Sequence, residues 1–91
     1  MPVPASQTTP EQRSAWKEAR TLVGHAVRTA RLSAGLTQEA LALESGVTRN
    51  MLIHLEHGDR GISFERLYDL ANALGIEPAH LMPAPERNPD Q

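Results

Sequence analysis

The stretch Gln38-Glu39-Ala40-Leu41-Ala42-Leu43-Glu44-Ser45-Gly46-Val47-Thr48-Arg49-Asn50-Met51-Leu52-Ile53-His54-Leu55-Glu56-His57 decides how the whole chain reads. It predicts two short helices, Gln38 to about Ser45 and Arg49 to about His57. Each follows a threonine, Thr37 or Thr48, whose hydroxyl can accept from the free amides of the first turn. The link between them must reverse the chain within about three residues, which calls for a positive φ, and Gly46 supplies it. Helices that cross steeply need a small residue where they touch, and Ala42 stands there. Val47, Leu52 and Leu55 anchor the second helix from one side. Arg49, Asn50, Ile53, His54 and His57 are left on the other, pointing away from the core.

The chemistry of that outward side is specific. An arginine fork matches the two major-groove acceptors of guanine, and an asparagine amide pairs with adenine in two hydrogen bonds. Arg49 and Asn50 stand in the first turn, the part of a helix that reaches deepest into a groove. Thr48 or Ile53 can meet a thymine methyl. The free amides at the start of both helices, with Thr37, Gln38 and His57, suit phosphate oxygens. Double-stranded DNA is therefore the expected partner.

Working outward, Thr9-Pro10-Glu11-Gln12 predicts a capping box with proline at the first helical position. Trp16, Ala19, Val23, Ala26 and Ala30 follow at spacings of three and four, one stripe of a long helix that ends near Gly35. Gly24 weakens its middle by about 1 kcal/mol relative to alanine, so the stretch is either one helix or two. Ser63 caps a further helix through Leu74, with Phe64, Leu67, Leu70, Ala71 and Leu74 inward, and Pro78 opens a last short turn from Ala79 to Met82. No alternating β-branched pattern suggests a strand, so the fold class is all-α. Pro-rich ends predict disordered tails at 1–8 and 83–91 around one domain at 9–82.

Composition excludes more than it proposes. The 91 residues include no cysteine, which removes disulfides, thiolate metal sites and thiol catalysis. Three aromatic residues, Trp16, Phe64 and Tyr68, are too few for a stacking platform on single strands. His54 and His57 stand three apart on one helix but have no second ligand pair, so no metal is expected. Neither a glycine-rich phosphate loop nor a nucleophile elbow occurs, so neither enzyme activity nor a cofactor is expected. With no apolar segment of membrane length and no signal segment, a cytoplasmic chain without membrane contact is expected. The net charge of −2 conceals a gradient: residues 13–60 sum to +2 and residues 61–91 to −3.

Leu36-Thr37-Gln38-Glu39-Ala40-Leu41-Ala42, Gly46-Val47-Thr48, Leu55-Glu56-His57-Gly58 and Leu70-Ala71-Asn72-Ala73-Leu74-Gly75-Ile76, in that order, resemble the helix-turn-helix domain of the lambda repressor/Cro and XRE type. The resemblance implies a five-helix bundle, here with an extended N-terminal helix, that binds a palindromic operator as a homodimer and regulates transcription. It implies that Gln38 supports backbone and base contacts, and that Arg49, Asn50 and His54 face base edges. Arg60 then lies in a phosphate-contacting loop, and Arg31 pairs with Glu56 inside the domain. It places dimer contacts around Ile76, Leu81 and Met82, while Trp16 on the extension offers a competing surface. An antitoxin or adaptor that uses the same fold to bind a toxin or other protein is the alternative function.

Overall fold

Thr9 opens the first helix with both halves of its capping box: its hydroxyl accepts from the Gln12 amide at 3.1 Å, and Gln12 Oε1 accepts from the Thr9 amide at 2.9 Å. In the computed structural model, which describes residues 8–85, the helix that follows, α1, runs unbroken through Gly24 from Pro10–Ser33. Three shorter helices come next: α2 (Gln38–Ser45), α3 (Arg49–His57) and α4 (Phe64–Leu74). Each starts at a hydroxyl cap. Thr37 accepts from the Ala40 amide at 3.0 Å, Thr48 from Met51 at 3.1 Å and Ser63 from Arg66 at 3.3 Å. Each stops at a glycine, Gly46, Gly58 or Gly75. Gly46 turns the chain between α2 and α3 at φ +78°, a conformation that costs a residue with a Cβ about 1–2 kcal/mol.

The described residues thus hold four α-helices and no strand, not five helices. The expected fifth, Ala79 to Met82, is a 3-10 turn over Pro78–Leu81, too short to close an α-helical ladder. Of the predicted tails, residues 1–7 and 86–91 lie outside the described part.

Val27, Leu41, Val47, Leu52, Leu55, Leu67, Leu70, Ala71 and Leu81 form the core. Each fully buried leucine contributes about 1.5–3 kcal/mol. Two expected inward faces differ from this. On α1 the buried line is Gly24, Val27 and Arg31, one residue or about 100° round from the expected Val23, Ala26 and Ala30, of which Val23 and Ala30 are still partly buried against the core. Trp16 and Ala19, the start of the expected stripe, are exposed because only the second half of α1 lies on the bundle. Phe64 is exposed as well, since as the first residue of α4 it stands past the edge of the core.

Gly24 explains the rotation. A Cβ built there would collide with the Leu55 carbonyl oxygen and stand 3.1 Å from the Glu56 carbonyl oxygen. The backbone of α1 at Gly24, which has no side chain, meets the backbone carbonyls of Leu55 and Glu56 on α3. What reads in sequence as a weak point in a helix is the contact that sets the position of α3.

Candidate nucleic-acid interface

Thr48 holds extended backbone at φ −69° and ψ 151° and aims the first turn of α3. Val47, Leu52 and Leu55 pin one side of that helix into the core. Arg49 and Asn50 are exposed on the other, and neither makes a side-chain hydrogen bond to another described residue. Thr48 is exposed beside them, while Ile53 and His54 are half-buried further along.

Behind this face lies a three-helix polar connection. Arg31 on α1 donates from Nε to Glu56 Oε2 at 2.8 Å and from Nη2 to Oε1 at 2.9 Å; its Nη1 donates to the Leu36 carbonyl at 2.8 Å. The side chains of Arg31 and Glu56 are 9% and 3% exposed, and each of the three guanidinium nitrogens has a partner inside the fold. The Glu56 hydrogen bond raises the already high Arg31 pKa and keeps the guanidinium charged. Gln38, in the first turn of α2, donates from Nε2 to Glu56 Oε1 at 3.2 Å. An amide nitrogen has two hydrogens, so Gln38 keeps one for an outside acceptor. Thr37, Gln38 and Arg49 line one polar cleft of about 440 Å³ together with Glu39 and Arg28. Arg28 escapes the sequence reading, although it stands one helical turn before Arg31 and points to solvent.

The two histidines of α3 are each held by a neighbour. His54 Nδ1 lies 3.1 and 3.2 Å from the two Asp59 carboxylate oxygens. This bond, helped by the charges of His54 and His57, lowers the Asp59 pKa below the ordinary aspartate range. A depressed carboxylate pKa gives stabilisation that is complete above the ordinary value and is lost as pH falls through the depressed one. His57 Nδ1 lies 3.1 Å from the Ile53 carbonyl oxygen, which can only accept, so Nδ1 bears the hydrogen. The remaining nitrogen of a neutral His57 is then a lone pair and cannot donate to phosphate. The expected His57 contact therefore requires the doubly protonated ring.

Arg60 is exposed in the α3–α4 loop, next to a separate, mostly apolar cleft that includes Arg20, Ile62 and Met82. The expected dimer residues do not form one surface. Leu81 is fully buried in the core and offers nothing to a partner, because the 3-10 turn folds it back under α1 and α4. Ile76 is half-buried along an apolar groove with Leu22, Ala26 and His80, whereas Met82 sits at the Arg60 cleft. Trp16 is 49% exposed. Among the described residues there is no cluster of three or more metal-ligating side chains, and no helix long and apolar enough to cross a membrane.

The sequence pattern of the family described as Helix-turn-helix matches residues 27–81. The control protein C.BamHI of Bacillus amyloliquefaciens is 36% identical over 64 residues, 69% of this chain and 79% of its own length. An HTH-type transcriptional regulator of Sinorhizobium fredii, y4dJ, is 37% identical over 70 residues, 77% of this chain and 91% of its own. Among solved structures, the restriction-modification controller protein C.AhdI of Aeromonas hydrophila superposes with a TM-score of 0.70 at 36% identity. That match covers 72% of this chain and 96% of the controller protein. These relatives are named as regulators and controllers, none of them as an enzyme.

Proposed function

The chain belongs to the helix-turn-helix family, and on that premise we propose that it is a small sequence-specific transcription regulator of the controller kind, binding double-stranded DNA as a homodimer on a palindromic operator. The observation that carries this reading is the first turn of α3, where Arg49 and Asn50 project to solvent with their side-chain donors unspent. In a major groove their forks and amides read base edges, with Thr48, Ile53 and His54 next along the helix. Thr37, Gln38, Arg28 and Arg60 take phosphates, and doubly protonated His57 joins them. A two-fold pair places the second α3 in the next major groove on the same face, about 34 Å away.

Selection of bound duplexes from a random library tests the reading. Two inverted half-sites one helical turn apart are expected. A single half-site would overturn the dimer, and no enrichment at all would overturn DNA recognition. On the selected operator, Arg49→Ala is expected to cost about 1–3 kcal/mol, with preference relaxed at one base pair of each half-site. Arg28→Ala and Arg60→Ala are expected to weaken all duplexes alike and to flatten the salt dependence by about one phosphate contact each. Gel-shift titrations over single-base operator variants at two salt concentrations separate these outcomes. Equal losses on every variant for Arg49→Ala would remove its base-reading role.

A further inference from the structure

Asp59 is an acidic residue at the edge of a face proposed to meet phosphates, where a negative charge weakens binding. Its position is nevertheless tightly determined. Gly58 ends α3 in the left-handed conformation, and the Asp59 amide then donates back to the His54 carbonyl at 3.2 Å. That turn brings both carboxylate oxygens to within 3.1–3.2 Å of one ring nitrogen of His54, Nδ1. An ionised carboxylate can only accept, so Nδ1 must carry the hydrogen. In the neutral ring the other nitrogen, Nε2, is left as a lone pair, since the partner of one nitrogen sets the state of the other. Nε2 has no hydrogen-bond partner among the described residues, and the His54 side chain is one-third exposed, at 33%.

We propose that Asp59 is a positioning residue that fixes His54 as a hydrogen-bond acceptor toward the major groove, so that His54 selects a base carrying an amino group. The proposal deepens the DNA-binding reading and rests on it. In the major groove only adenine N6 and cytosine N4 donate; guanine and thymine offer acceptors alone at their hydrogen-bonding positions. Every base pair has one amino group there, on one strand. His54 held as an acceptor therefore distinguishes adenine or cytosine from guanine or thymine on the strand it faces. Released from the carboxylate, the ring can carry its hydrogen on Nε2 and donate to guanine or thymine. Asp59 thus sets the polarity of a contact that it does not itself make.

Two measurements on the full chain test this. The first needs no DNA: long-range proton–nitrogen NMR, followed to a pH at which the ring signals no longer change, reads which ring nitrogen bears the hydrogen. His54 is expected in the Nδ1–H form, and Asp59→Ala is expected to shift it toward Nε2–H. An Nε2–H ring in the unaltered chain overturns the proposal. The second is duplex selection with the unaltered chain, Asp59→Ala, His54→Ala and the double variant. The unaltered chain is expected to favour adenine or cytosine by about three- to tenfold at one position of each half-site, the range of a single hydrogen bond. Asp59→Ala loses or reverses that preference and leaves the other positions intact. In the His54→Ala background, Asp59→Ala has no further effect at that position. If Asp59→Ala strengthens all duplexes equally in both backgrounds, Asp59 is only a repelling charge and the proposal falls. Loss of enrichment at every position for the unaltered chain marks failure of the DNA reading itself, a different pattern from intact enrichment with one unchanged position.

Discussion

Gly24→Ala is expected to lower the melting temperature by about 10 °C or more, although alanine is the better helix former. In an isolated helix the substitution gains about 1 kcal/mol. Here the new methyl meets the carbonyl oxygens of Leu55 and Glu56, which are backbone atoms and cannot swing aside as a flexible side chain does. Relief requires α1 and α3 to separate, which loosens the packing of Val27 against its core neighbours. Overpacking of this kind costs about 3 kcal/mol or more. The net loss of about 2 kcal/mol or more, at about 4–8 °C per kcal/mol for a domain of this size, gives the stated shift. Thermal unfolding followed by far-ultraviolet circular dichroism measures it. An unchanged or higher midpoint would show that the helices do not approach as closely as described. The same shift of α3 displaces Arg49 and Asn50, so operator affinity is expected to fall even where the variant remains folded.

Glu56→Ala is expected to be the most damaging change at the polar connection, at about 3–5 kcal/mol. It leaves the buried Arg31 guanidinium charged, with the Leu36 carbonyl as its remaining partner. Against a total stability of about 5–15 kcal/mol, that loss brings a small domain to the edge of unfolding. The paired change Arg31→Met with Glu56→Leu removes both charges at once and is expected to restore most of the midpoint, because well-packed apolar residues often replace a buried ion pair at little cost. DNA binding is not expected to return with it. Gln38 loses the Glu56 oxygen that orients its amide, so recovered stability with weakened operator affinity is the expected signature. A double variant as unstable as Glu56→Ala alone would contradict this account.

Local signals explain what could be read in advance. Thr9, Thr37, Thr48 and Ser63 mark helix starts because a hydroxyl reaches an amide only three residues away. The glycines after α2, α3 and α4 mark their ends for a similarly local reason. The outward chemistry of Arg49 and Asn50 follows from the helix period once Leu52 and Leu55 are taken as inward. Relations between elements were harder to read. The buried line of α1 includes a glycine and an arginine, which a search for apolar residues passes over. Leu81 turns inward because the 3-10 segment packs back on α1 and α4, and no periodicity exists over four residues to show it. Asp59 and His54 meet across the end of a helix, five residues apart, outside the spacings of three and four that a helix face suggests. An acidic residue directly after a helix-ending glycine was the available sign. Arg28 needed the rotated register of α1 before its place beside Thr37, Gln38 and Arg49 could be seen.

The outlying half of α1 has a practical consequence for any spectroscopist. Every residue from Pro10 to Ala19 is exposed, so those turns are held by their own ladder and by the Thr9 cap. A helical segment that short is marginal in water, and it frays at free energies far below that of global unfolding. Trp16, the one tryptophan of the chain, lies in the middle of it. Intrinsic fluorescence will therefore follow the fraying of a lever and miss the collapse of the bundle. Its denaturation curve should precede the dichroism curve, and the mismatch should not be mistaken for a folding intermediate.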